Sequence, residues 1–316
     1  MRKIPLEDIY LNDKRFQISH FFSLDQLTQS IRDVGLIYPP VVTQRNGFMV
    51  PVTGWKRIFA CKQLLLSPIP VFVSKETDDL KSFKLALFEN LTTRGFNLIE
   101  RAEIVSRLKK FGETQERIIR GYFPLFGIPP IYDYYDLYKK ISRMNRKEKR
   151  TVSEKEMALS VVEHLIRFSP KERKIIFPII VFLSQNKQKE LLDLTREISL
   201  KEEMPVQEIF NSDEIRDVLL SENLSSIQKA DRIRLLLKEK RFPLLSARER
   251  SFDSAKRKLG WPKDIDLSPT PYYEDNEVHI KFSFTGKKDY LKKISNLRRM
   301  AENDEFAALL ETIPDE

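Results

Sequence analysis

The chain has 316 residues, is 41% hydrophobic and 32% charged, and carries a net charge of +9. That length exceeds one ordinary core and predicts two or three domains, while the composition excludes a disordered chain. No apolar run approaches the roughly 20 residues of a membrane helix, and the opening Met1-Arg2-Lys3-Ile4-Pro5 lacks an apolar signal-peptide core. The single cysteine, Cys61, excludes an internal disulfide framework and a cysteine-based zinc site, so a reducing cytoplasm is expected. The charge is uneven. Residues 94–250 hold 32 basic against 24 acidic groups, whereas residues 1–93 sum to +3 and residues 251–316 to −2. The middle third therefore points to a polyanionic partner or, alternatively, to a lysine-rich solvated helical surface.

In chain order, a short apolar segment over 4–9 is followed by an amphipathic helix starting at Ser23. Ser23 and Gln26 have capping-box spacing, Leu24, Leu27 and Ile31 share a face, and Gly35 ends it. Strands over 39–44 and 48–53 flank an Asn46-Gly47 hairpin turn. A helix over 56–66 and a strand over 69–73 complete an α/β unit with Gly54 at a strand-to-helix transition. From about 80 to 245 the period is helical, with segments at 79–91, 97–110, 114–121, 130–143, 153–168, 170–184, 187–199, 205–209, 212–221 and 225–239. Asn97 with Glu100, and Ser153 with Glu156, have capping spacing. The pattern breaks at Phe242-Pro243. A helix over 251–260, strands over 264–271 and 278–284, a helix over 287–302 and a short segment over 305–312 follow. The expected fold is α+β and mostly helical.

Two segments have the parts of a nucleoside-triphosphate site. In Thr53-Gly54-Trp55-Lys56-Arg57, the glycine opens a helix whose unsatisfied N–H groups collect anions. Lys56 and Arg57 sit in the first turn, where the helix dipole disfavours cations unless an anion compensates them. In Glu89-Asn90, an oxygen pair closing a helix suits Mg²⁺, which takes one or two protein ligands plus phosphates. Each half also has a plain reading: solvated cations for the first, a helix C-cap for the second.

The order of these segments resembles the ParB chromosome- and plasmid-partition family, built on a ParB/sulfiredoxin-like N-terminal domain. Leu27-Thr28-Gln29-Ser30-Ile31 through Gly35-Leu36 and Pro39-Pro40-Val41-Val42 matches one family stretch. Gly54-Trp55-Lys56-Arg57-Ile58-Phe59-Ala60 is similar to its Gly-Glu-Arg-Arg-x-x-Ala phosphate box, and Glu89-Asn90-Leu91 through Asn97-Leu98-Ile99-Glu100-Arg101-Ala102 to a third box. The resemblance implies a domain at 1–93 that binds CTP with Mg²⁺ and hydrolyses it at most slowly, as a clamp switch. Gly54, Lys56 and Arg57 would hold the triphosphate, with Arg15 and Arg94 as further contacts. Glu89 and Asn90 would serve the metal, and Glu89 the attacking water. The sequence departs from the family at Trp55 (glutamate), Lys56 (arginine) and Thr92-Thr93-Arg94, where the box's arginine is displaced by one residue. These departures bear on nucleotide identity and turnover more than on the fold. Cys61 lies after the phosphate box rather than inside it, which disfavours a sulfiredoxin-type reaction.

By the same resemblance, residues 94–245 hold a helix-turn-helix DNA-binding domain with linker helices. Thr114–Ile119 starts its first helix, Gly127 makes the turn, and residues 130–141 form the recognition helix. The first half of that helix has two aspartates and no cation. The cations follow it, with Lys139, Lys140, Arg143, Arg146 and Lys147 suited to phosphate contacts without base readout. Residues 246–316 resemble the family's small ββα dimerisation domain. A nucleoid-associated cytoplasmic homodimer follows, with double-stranded DNA, a nucleotide and a ParA-type ATPase as partners. Two other readings stay open: a nucleotide-dependent kinase or nuclease on the same N-terminal fold, and a DNA-binding adaptor whose nucleotide site has decayed.

Overall fold

A computed structural model describes residues 1–270, 273, 275 and 277–313. The first strand, β1 (Arg2–Ile4), leads into a short 3₁₀ turn and then α1 (Asp25–Val34). Ser23 does not cap α1: its hydroxyl bonds Asp25, and Leu24 holds the cap position without a side-chain bond. Gly35, at φ 78°, ends α1 as expected. Strands β2 (Val41–Arg45) and β3 (Phe48–Pro51) pair antiparallel about Asn46 and Gly47, both with positive φ, the geometry of a twisted two-residue hairpin. Helix α2 (Trp55–Gln63) then crosses to β4 (Ile69–Ser74), which runs parallel to β2 and antiparallel to β1, giving the order β1-β4-β2-β3. Ile31 of α1, Ile58 and Cys61 of α2, and Val42, Ile69 and Val71 of the sheet share one buried core.

Helix α3 (Asp79–Thr93) starts at Asp78, whose carboxylate accepts two backbone N–H bonds. Helix α4 (Leu98–Lys110) starts with the expected Asn97–Glu100 capping box. The expected helix over 114–121 is instead a single α turn, α5 (Gln115–Arg117), followed by a π turn over Ile118–Tyr122 and a 3₁₀ turn over Pro124–Phe126. Pro124 has no N–H to continue a regular helix, so the backbone widens before it and tightens from it onward. Gly127, with φ 65°, makes the turn into α6 (Tyr132–Ser142). Tyr135, Tyr138 and Ile141 are buried in the core that α6 shares with α4, so two of the four tyrosines of α6 are turned inward.

The basic stretch after α6 is a helix, α7 (Arg146–Glu154), capped by an Asn145–Glu148 box. The expected Ser153–Glu156 cap is overturned, because Ser153 lies inside α7 and Glu156 has φ 47°, where the helix has stopped. Glu148 is buried and takes Arg173 at 2.9 Å. Arg173 belongs to α9 (Pro170–Ile180), which follows α8 (Leu159–Leu165). Residues Met1–Val181 form one compact unit and Phe182–Glu316 another.

The second unit contains α10 (Gln185–Lys201), α11 (Val206–Phe210), α12 (Asp213–Leu220), α13 (Ser226–Arg241) and α14 (Pro243–Lys258). Strands β5 (Asp266–Pro269) and β6 (Val278–Lys281) pair antiparallel, and α15 (Lys287–Ala301) and α16 (Asp304–Leu310) follow. The strand expected over 264–271 has its end, Pro271, outside the described residues. Trp261 packs into a core with Phe252, Leu267, Met300 and Leu309. Phe284, the last residue of the strand expected over 278–284, is 56% exposed, since β6 ends at Lys281 and the chain leaves the ladder before it. The architecture is α+β and mostly helical. Among the described residues no helix is long and apolar enough to cross a membrane.

Candidate nucleotide site

A cavity of about 470 Å³, within the size range of small-ligand sites, lies at the start of α2 and the end of α3. It is lined by Gly54, Lys56, Arg57, Glu89, Asn90 and Arg94, six residues drawn from two separate segments. Arg15 is not among its lining residues. Its guanidinium is held by Asp13 at 2.8 Å and by Asp79 at 2.7 Å, at the opposite end of α3.

Gly54 has φ 76°, and a Cβ there would stand 2.7 Å from Pro40 Cβ. Glycine is thus dictated by the turn and by Pro40 rather than by the approach of a ligand. Arg57 binds Glu89 Oε1 at 2.5 Å and the Tyr38 carbonyl at 2.8 Å, tying α2 to α3 across the cavity. The Asn90 amide donates to the Ala86 carbonyl and, at 3.3 Å, to Glu89 Oε2. Lys56 has no ion-pair partner among the described residues. Its ammonium stands 5.0 Å over the Phe22 ring, and burial, reinforced by the charge of Arg94, lowers its pKa. It is the cation in the cavity with most to gain from an incoming anion. Arg94 is committed differently, gripping Glu100 with two bonds of 2.7 and 2.9 Å and Ser19 at 2.7 Å. Its main work is to pin the end of α3 to the start of α4.

Glu89 and Asn90 offer carboxylate and amide oxygens on adjacent residues. Among the described residues no cluster of three or more His, Cys, Asp or Glu could hold a metal alone. This donor set fits Mg²⁺ only when phosphates supply further ligands. Ser19, Tyr38 and Thr93 also line the cavity. Tyr38 contributes a carbonyl from the stretch before Pro39, while Ser19 carries no sequence signal.

The five cations Lys139, Lys140, Arg143, Arg146 and Lys147 lie apart from this cavity, on α6, α7 and their junction. All are exposed, and none makes an ion pair among the described residues. The two other cations of the stretch are spent, Lys149 on Glu103 at 2.5 Å and Arg150 on Glu154 at 2.7 Å.

Comparison with known families decides the N-terminal assignment: residues 1–91 match the model of the ParB N-terminal domain. Residues 1–91 are a ParB N-terminal domain. The chain is 34% identical over 122 residues to a nucleoid occlusion protein of Halalkalibacterium halodurans, covering 37% of this chain and 42% of that one. It is 33% identical over 122 residues to the chromosome-partitioning protein Spo0J of Thermus thermophilus, covering 37% and 44%. The chain thus spans less than half the length of these two relatives. A crystal structure of C-terminally truncated ParB from Caulobacter crescentus complexed to the centromeric parS site aligns with 61% of this chain and 99% of that one, at 20% identity and a TM-score of 0.35. Within the ParB N-terminal domain, the cavity places Trp55 and Thr93, two of the departures from the family pattern, directly against the candidate site.

Proposed function

We propose that the protein is a nucleotide-gated DNA-binding protein of the chromosome- or plasmid-partition kind. The observation that carries this reading is the convergence of Gly54, Lys56, Arg57, Glu89, Asn90 and Arg94 on one cavity in a ParB N-terminal domain. The ligand is a nucleoside triphosphate, CTP by the family resemblance. Lys56 and Arg57 hold its phosphates, and Glu89 and Asn90 hold Mg²⁺ against them. Glu89 is also the group placed to orient a water for slow hydrolysis. Binding requires Arg57 to exchange Glu89 for a phosphate, which releases the carboxylate to the metal. This exchange makes ligand and metal binding interdependent.

The unpaired cations Lys139, Lys140, Arg143, Arg146 and Lys147 are the proposed contacts to duplex DNA. They grip the backbone, while the acidic first half of α6, with Asp133 and Asp136 exposed, contributes little attraction there. Pairing of two chains through their C-terminal ββα segments completes a homodimer that works with a ParA-type ATPase at the nucleoid. The domain division that goes with this reading is 1–93, 94–245 and 246–316.

A thermal-shift screen of CTP, ATP, GTP and UTP with Mg²⁺ tests the reading. CTP at a hundred times its Kd adds about 2.7 kcal/mol to the stability of the folded state, and Arg57→Ala abolishes that shift. Absence of a shift with every nucleotide overturns the switch. One observation favours the adaptor reading, namely that Arg57 and Arg94 are already neutralised by Glu89 and Glu100. Duplex binding that ignores both CTP and Arg57→Ala would establish it.

A further inference from the structure

A second cavity, of about 550 Å³, lies in the same unit between the segment over 14–22, α4 and the start of α7. Four cations line it, Lys14, Arg107, Arg146 and Lys149, against one carboxylate, Glu103. Lys149 consumes Glu103. Arg107 donates to the Gln17 carbonyl rather than to an acid, and its burial lowers the guanidinium pKa, the mark of a cation poorly supplied with counter-charge. Lys14 and Arg146 are exposed and make no ion pair among the described residues. Nε2 of His20, another lining residue, is buried without a hydrogen-bond partner and in its N–H tautomer is one more donor. Three positive charges in excess therefore converge on a concave space.

We propose that this cavity seats a phosphate group, and that the group is a backbone phosphate of the duplex held by α6 and α7. Two arginine forks and a lysine match the several oxygens of a phosphate better than they match a single acceptor. The source follows from Arg146, which lines the cavity and also belongs to the exposed row with Lys139, Lys140, Arg143 and Lys147. Through it the positive track runs from the helix-turn-helix onto the N-terminal domain, so Lys14 becomes part of the DNA footprint. The choice of source rests on the DNA-binding reading above; the anion site itself does not.

The test titrates the full chain against a random duplex at several NaCl concentrations. Lys14→Glu is the probe, Lys139→Glu the α6 reference, and Lys3→Glu, on exposed β1 away from the cavity, the control. Loss of one phosphate contact makes the log K against log[salt] slope shallower by about one. That change in Lys14→Glu, with several-fold weaker binding and an unchanged Lys3→Glu, supports the proposal. A second arm measures thermal protection by pyrophosphate in a Lys56→Ala/Arg57→Ala background, which removes competition from the first cavity. Protection that Lys14→Glu abolishes, with DNA binding unaltered, keeps the phosphate site but assigns it a free ligand. Lys14→Glu behaving as Lys3→Glu in both arms, while Lys139→Glu weakens DNA binding, overturns the site. If the unmodified chain binds no duplex, the DNA reading falls separately and the pyrophosphate arm alone decides the cavity.

Discussion

Gly54 offers a quantitative test of how the first turn of α2 is built. Its φ of 76° costs an L-residue about 1–2 kcal/mol. An added Cβ would also stand 2.7 Å from Pro40 Cβ and 3.0 Å from Pro40 Cα. That is backbone-anchored proline with little room to move, and overpacking of this kind costs about 1–3 kcal/mol. Gly54→Ala should therefore destabilise the N-terminal unit by about 2–5 kcal/mol. Gly47 supplies the comparison, because its φ of 84° is similar but nothing lies within 4 Å of the position a Cβ would take. Gly47→Ala should cost only the conformational share, about 1–2 kcal/mol. At about 3 °C per kcal/mol for a unit of this size, thermal melts followed by circular dichroism should fall by about 6–15 °C for Gly54→Ala and about 3–6 °C for Gly47→Ala. Equal shifts for the two variants would refute the role given to Pro40.

Three further outcomes are expected. Arg173→Leu leaves Glu148 buried without its partner and should cost about 3–5 kcal/mol, read as lost urea resistance, while Arg150→Leu, whose pair with Glu154 is exposed, should cost under about 1 kcal/mol. Ile280, Phe284, Leu291 and Ile294 leave an apolar surface exposed on the C-terminal ββα segment, so Leu291→Asp should convert the proposed dimer to a monomer in sedimentation equilibrium; a dimer that persists would exclude this face. Burial, with the charge of Arg107, lowers the His20 pKa from 6.5 to about 4. The unfolded chain thus binds the proton first, so stability is complete above pH 6.5, falls as pH drops from 6.5 to about 4, and levels off below. His20→Phe should flatten about 3 kcal/mol of that acid loss in urea titrations.

The elements fixed by short-range rules were legible in the sequence. The Asn46-Gly47 hairpin, the Asn97–Glu100 capping box, the end of α1 at Gly35 and the left-handed turn at Gly54 each follow from two or three adjacent residues. What escaped reading depends on competing local partners or on partners distant in sequence. Ser23 looked like a cap but bonds Asp25, and Ser153 was set aside because the Asn145–Glu148 box, stabilised by Arg173, starts the helix eight residues earlier. At the cavity, six residues that the resemblance singled out lie together, yet no local pattern reveals that Arg57 is held by Glu89 or Arg94 by Glu100. The loosely matched Arg15 is drawn away by Asp79, an acid 64 positions further on.

The buried carboxylate of Glu113 takes Lys84 of α3 at 2.5 Å and the Tyr122 hydroxyl of the π turn at 2.8 Å. Lys84 and Glu89 are five residues apart on one unbroken helix, about 7.5 Å along its axis. Helix α3 is therefore a stiff rod, bolted to the turn over Ile118–Tyr122 at one point and exposed to the cavity at another. A tilt of a few degrees at Glu89 cannot dissipate in a loop before it reaches Tyr122. Mechanically, the cavity and the π turn share a single moving part.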